Sequence, residues 1–217
     1  MPSGLVNLPT GWYSNGMPRP RGPARDQLLE AAQRLLLERG YEAAALDDVC
    51  ATAQVTKGGL FYHFESKEQL AAAAIERFYG QLVDKGRDAM GAAPADPAQR
   101  LWRYLDAVVT LLGDPLLSRG CLLGAMALQT PKTHPAVAAA AQTALRDWRA
   151  ILTELIAAAA RHRGVSVDAE QLADGLLAAI EGGLLLDRDK PTNPAAVAAV
   201  THFGHYLRLT LTQGAVR

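Results

Sequence analysis

Residues 44–70, AALDDVCATAQVTKGGLFYHFESKEQL, begin a helix three times in close succession, and this spacing constrains the fold more than any other stretch of the chain. Leu46, Val49, Cys50 and Ala53 recur at i, i+3, i+4 and i+7, the period of a short helix with one apolar face, and Asp47 and Asp48 sit in its first turn where the helix dipole favours negative charge. Gln54 and Val55 break that helix. Thr56 then offers a hydroxyl to the free amides of a second helix over about Lys57 to Phe64, anchored inward by Leu60 and Phe64. Ser66 followed by Gln69 is a capping-box pattern that starts a third, longer helix at Lys67. Two short helices, a tight turn and a capped third helix make a helix-turn-helix.

With Leu60 and Phe64 turned inward, Lys57, Gly58, Phe61, Tyr62 and His63 are left to face outward. Large exposed aromatics usually have a partner. Adjacent glycines at 58 and 59 would each cost a helix about 1 kcal/mol relative to alanine, which suggests close approach of the backbone to a phosphate or groove wall.

The segment TKGGLFYHFESKEQL resembles the DNA-binding signature of TetR-type transcriptional regulators. The likeness extends upstream, where Leu28, Leu29, Ala32, Leu35 and Leu36 form an amphipathic first helix closed by Gly40 and followed by Tyr41. The resemblance implies that Thr56, Lys57, Gly58, Phe61, Tyr62, His63 and Lys67 occupy DNA-contacting positions. The chain departs from the pattern at Ala44 and Ala45, where a capping Thr or Ser is common, at Phe61, where a tyrosine is common, and at Gly59, which often carries a base-reading side chain. Sequence readout then leans on Tyr62, His63, the backbone and DNA shape.

The chain has 217 residues with 22 basic and 22 acidic side chains, so overall charge gives no sign of a nonspecific DNA coat. Local charge differs. Arg19, Arg21 and Arg25 cluster before the first helix among Pro18, Pro20, Gly22 and Pro23, either as an arm that reaches phosphates or the minor groove or as a mobile soluble leader. Residues 1–16 lack any helix or strand period and precede Met17, a candidate true start; they do not read as a secretory signal. The expected division is a leader over 1–22, a helix-turn-helix domain over 23–66 and a sensing and dimerisation domain over 67–217.

Hydrophobic residues make up 49% of the chain, enough for a substantial core, yet no uncharged apolar run reaches membrane-spanning length. Two cysteines, Cys50 and Cys121, are too few for a disulfide framework and suit a reducing cytoplasm. No CxxC, HExxH or His/Cys cluster supports a metal, no cofactor motif is visible, and no neighbouring nucleophile and base suggest an enzyme.

Beyond Ser66 everything reads as helix. Leu70, Ala74, Phe78 and Leu82 line a fourth helix to about Met90; Asp96 and Pro97 open a fifth that Gly113, Asp114 and Pro115 stop. A sixth covers about Gly120 to Gln129 and ends at Pro131, and a seventh runs from Pro135 to about Arg163. Asp168 with Gln171 opens an eighth to about Asp187, and Asn193 with Pro194 opens a ninth closed by Gly214. The expected architecture is all-α with about nine helices, a three-helix head and a helical body.

The body resembles the ligand-sensing and dimerising part of the same family. The resemblance implies a homodimer that pairs helices eight and nine across a twofold axis through Leu177, Ile180, Leu184, Val200, Phe203 and Leu207, the alternative being that these side chains cover the chain's own core. It further implies that two heads read a palindromic operator and that a small molecule among helices four to eight tilts helix four and releases DNA, with repression the commoner outcome. The stretch SRGCLLGAMALQT, residues 118–130, resembles a second signature of a subset of these regulators. Within it Cys121 stands beside Arg119 near a helix N-terminus, which would lower its pKa and make it an electrophile sensor; the other reading is a small buried hydrophobe. Trp102, Tyr104, Asp106, Met126, His134 and Trp148 complete the candidate ligand set. Two other classes stay open: an architectural DNA binder without sequence preference, and a helical scaffold or enzyme whose head has lost DNA contact.

Overall fold

The computed structural model describes residues 22–92, 94–130, 132–188, 190 and 192–213. The expectations placed on Met17, Arg19, Arg21, Pro131 and Gly214 lie outside them. Among the described residues there are nine α-helices: α1 Pro23–Ala43, α2 Leu46–Ala53, α3 Lys57–His63, α4 Lys67–Met90, α5 Pro97–Leu112, α6 Leu122–Gln129, α7 Pro135–Arg163, α8 Ala169–Leu186 and α9 Pro194–Gln213. A short 3-10 helix, Pro115–Leu117, joins α5 to α6.

The starts follow from side-chain caps. Thr56 accepts from Gly59 N, Ser66 from Gln69 N, Asp96 from Ala98 N and Gln99 N, and Asp168 from Gln171 N, each satisfying amides that a helix leaves free at its first turn. The Ser66 cap is reinforced by Gln69 Oε1, which accepts from Glu65 N at 2.6 Å.

The sixth helix begins at Leu122, with Cys121 as its N-cap and Gly120 held at φ +99°, rather than at Gly120 as the sequence suggests. At α9 the sequence points to Asn193, but Asp187 takes the capping role: its Oδ2 accepts from Ala195 N at 2.7 Å and Ala196 N at 3.0 Å. Asn193 is buried and instead donates to the carbonyls of Leu112 and Leu117, tying the α8–α9 turn to the end of α5.

Helices α1–α3 form a small head around Leu28, Leu35, Leu36, Val49, Leu60 and Phe64. In the body, α7 packs against α4, α5, α6 and α8, while α9 lies along α8 and α5. The head is bound to α4 by a buried amide. Gln33 Nε2 donates to Ala74 O at 3.0 Å and to Gln81 Oε1 at 3.1 Å, and Gln33 Oε1 accepts from Arg77 at 2.9 Å. No single helix among the described residues is long and apolar enough to cross a membrane.

The α8–α9 contact depends on Gly183, where a Cβ would overlap the backbone of Ala196. Backbone shifts forced by overpacking typically cost about 1–3 kcal/mol. Gly183→Val should therefore lower stability by about 2 kcal/mol or more, read as a reduced urea midpoint.

Candidate nucleic-acid interface and body sites

Helix α2 starts without a side-chain cap, because Ala45 is the N-cap residue and Ala44 is buried in the head core. It ends at Gln54, whose φ of +55° is the left-handed turn that redirects the chain into α3. Gly59 has an internal reason: a Cβ there would lie 2.9 Å from Val55 Cγ1, so the glycine lets α3 fold tightly onto the turn. Gly58 differs, since the space around its Cα is open. The expectation that both glycines serve an outside partner thus holds no force for Gly59.

Leu60 is fully buried and Phe64 almost so, which fixes the rotation of α3 and turns Lys57, Gly58, Phe61 and Tyr62 outward. Phe61 is 47% and Tyr62 72% exposed, an unusual pair of aromatics on a seven-residue helix. The Tyr62 and His63 rings meet edge to face with centroids 5.0 Å apart. Lys57 Nζ pairs with Asp47 Oδ1 at 2.8 Å, and this contact holds the lysine charged above its ordinary range. A second pair, Arg39 with Asp48 at 2.6 Å, ties α1 to α2.

Two expected phosphate ligands are partly engaged within the head. Arg25 lies over the Phe64 ring, 5.3 Å from its centroid, beside a shallow groove lined by His63, Gln69 and Glu76. Lys67 Nζ donates to Glu42 O at 3.1 Å and sits 4.6 Å from the Tyr41 ring centre; partial burial lowers its pKa, opposed by Glu42.

The body candidates do not form one site. Tyr104 accepts from Trp148 Nε1 at 2.8 Å, and burial pushes the phenol's pKa up, so these two do meet. Trp102 lies under Arg208, 4.2 Å from the guanidinium carbon, Met126 is fully buried core, and Asp106 is exposed to solvent. His134 is the N-cap residue of α7 and contacts Glu42 of the head and Glu68 of α4. Helical position alone could not separate these fates.

Cys121 is buried, and its thiol pKa lies well above the ordinary value through burial and the neighbouring Glu181, with which it shares a hydrogen bond. Burial outweighs the lowering expected from the helix N-terminus, and Arg119 is paired with Glu38 of α1. Glu181 itself was not a sequence candidate; burial raises its pKa, its Oε1 has no partner, and a Cβ on Gly124 would overlap its carboxylate. Tyr79 and Asp147 were also missed. Burial raises both, Tyr79 to about 12 with Asp147 adding to the shift, and Asp147 Oδ2 is buried without a partner. An acid inside an Ala-rich helix reads as surface unless the packing is known.

Four of the six expected dimer residues, Ile180, Leu184, Val200 and Leu207, are at most 3% exposed within the single chain. The physical reason is that α8 and α9 are apolar on more than one side, and the richer sides face each other. Leu177 is half-buried, and Phe203 closes over Gly175, where a Cβ would lie 3.1 Å from its ring. The outward apolar residues on these helices are Leu185 at 71%, Leu186 at 72%, Tyr206 at 52% and Leu209 at 59% exposure.

Removing the α3 cap by Thr56→Ala should destabilise the protein by about 1 kcal/mol, whereas Ala45→Ser, which supplies the cap α2 lacks, should stabilise it by about 0.5–1 kcal/mol, both measured by urea unfolding. Cys50 and Cys121 are both buried, so thiol titration of the native protein should be slow and become rapid on unfolding.

Comparison with known proteins agrees with this arrangement. The model of the bacterial regulatory proteins of the tetR family matches residues 28–74, and that of the tetracyclin repressor-like C-terminal domain matches residues 97–203. The HTH-type transcriptional repressor DhaR of Mycobacterium sp. (strain GP1) is 28% identical over 167 residues, 76% of this chain and 82% of that protein. The HTH-type transcriptional activator FasR of Mycolicibacterium smegmatis is 37% identical over 99 residues, 46% of this chain and 45% of that protein. The crystal structure of a TetR transcriptional regulator from Chloroflexus aurantiacus J-10-FL superposes with a TM-score of 0.74 at 27% identity, covering 85% of this chain and 94% of that one. A capped helix-turn-helix at the N-terminus, a helical body matching the family's C-terminal domain and these relatives together place the chain in the TetR family of DNA-binding transcriptional regulators.

Proposed function

We propose that the protein is a homodimeric transcriptional repressor that reads a palindromic operator through α3 and leaves it when a small molecule binds the body. The observation that carries this reading is the outward face of α3, where Lys57, Gly58, Phe61 and Tyr62 stand on a helix fixed by the Thr56 cap and by Leu60 and Phe64 in the core. Residues 23–66 would form the DNA-binding unit and 67–217 the sensing and dimerising one, acting in the cytoplasm. Tyr62 and His63 would meet base edges, Phe61 would make apolar contact, and the open backbone at Gly58 and the hydroxyl of Thr56 would approach phosphate. Arg25 and Lys67 would reach phosphate by leaving Phe64 and Glu42.

Repression is favoured over activation because DhaR, named a repressor, is matched over most of this chain, whereas FasR, named an activator, is matched over less than half. The dimer would form on the outward α8–α9 face through Leu185, Leu186, Tyr206 and Leu209, whose exposure a second copy would remove. Among the body residues, Tyr79, Tyr104, Asp147 and Trp148 combine aromatic surface with a buried acceptor between α4, α5 and α7, a suitable lining for an effector with a hydrogen-bond donor.

Footprinting on DNA beside the gene should show one protected palindrome; diffuse protection or none would overturn the reading. Tyr62→Ala should weaken operator binding about tenfold or more, the cost of a lost base contact of about 1–3 kcal/mol, with the unfolding midpoint unchanged. Leu186→Glu should convert the dimer to monomer in analytical ultracentrifugation and abolish half-site cooperativity.

A further inference from the structure

The body grips the head at the end of α1. Gly40 adopts φ +79° and ψ 173°, so α1 breaks there and Tyr41–Ala43 form a separate turn that leads straight into α2. Three body contacts converge on this break. Gln129, at the end of α6, accepts from Tyr41 N at 3.1 Å. Arg119 pairs with Glu38, one turn earlier on α1. His134 inserts between two acids, with Nδ1 2.9 Å from Glu68 Oε1 on α4 and Nε2 2.9 Å from Glu42 Oε1 on α1, and its ring centre is 4.1 Å from that of Tyr41.

We infer that His134 is a positioning residue for DNA binding: clasped between Glu42 and Glu68, it fixes the turn that carries the helix-turn-helix, and operator affinity depends on whether that clasp is closed. Both ring nitrogens face carboxylate oxygens, so both must carry a proton for the two contacts to attract. A neutral imidazole has one N–H, and its other nitrogen turns a lone pair toward a carboxylate. One side of the clasp then opens. A head held at one angle loses less freedom on docking than one that must be ordered by DNA, so the closed clasp favours binding.

The charged groups around the ring come from every neighbouring segment. Glu42 and Tyr41 face it from α1, Glu68 from α4, and Lys67 of α4 lies against the same Tyr41 ring; Lys132, on its own loop, is exposed. The hydrogen bond to Glu68, with Glu42 adding to it against partial desolvation, raises the His134 pKa above its ordinary value. A raised histidine contributes fully below its unfolded value of about 6.5 and loses that contribution as pH rises through the folded one. The clasp is closed at mildly acidic pH and opens on the alkaline side.

The test uses the full-length protein, with two readouts. Hydrogen exchange of peptides spanning residues 38–46, corrected for intrinsic rates and measured without DNA, should show protection that falls from about pH 6 to about pH 8.5 in the wild type and stays flat in His134→Gln. Operator affinity on the footprinted duplex should fall about fivefold over the same range in the wild type, and His134→Gln should remove that dependence while His162→Gln, at the far end of α7, should keep it. The operator readout rests on the proposed function, but the exchange readout does not, so a protein that binds no duplex yet shows the pH-dependent protection separates failure of that reading from failure of the clasp. Identical exchange profiles in wild type and His134→Gln would overturn the clasp. Altered exchange with unchanged pH dependence of affinity would overturn its role in positioning.

Discussion

The amide of Gln33 holds the molecule's two halves in one register. An amide buried among apolar side chains and left without partners would cost about 1–3 kcal/mol, and Gln33 escapes that penalty only while α1 and α4 keep their present alignment. Leu28, Leu29, Leu35 and Leu36 pack on either side of it along α1, so their contacts inherit the same alignment. A rotation of α4 therefore takes α1 with it. At its other end α1 meets the body again through Glu38, Tyr41 and Glu42. The head is attached at two places, and only movements that satisfy both are cheap.

Local chemistry was readable wherever one residue does one local task. Thr56, Ser66, Asp96 and Asp168 each cap the helix that their position in the sequence suggests, because a cap needs only the three residues that follow. Leu60 and Phe64 followed from spacing. The α9 cap was not readable in the same way: Asn193 stands at the usual distance, but Asp187 at the end of α8 reaches forward across the turn, a choice made by tertiary packing.

The body shows where pattern runs out. Helices α8 and α9 carry apolar side chains on several sides, so periodicity could not say which side meets the neighbour and which meets solvent; the structure turns Ile180 and Leu184 inward and Leu185 and Leu186 outward. Cys121 and His134 show the same limit. The properties of a thiol or an imidazole are set by partners distant in sequence, Glu181 for one and Glu42 and Glu68 for the other. Family resemblance supplied the architecture, but it could not supply those partners.

The one lysine of α3 is already paired with Asp47, and acids outnumber Lys and Arg across residues 23–66. If α3 meets the duplex as proposed, Lys57 exchanges one anionic partner for another, and that contact releases few counterions. Random genomic DNA would gain little from such a contact. Fewer molecules would be held on the wrong sites, and the copy number needed to fill one operator would be correspondingly small.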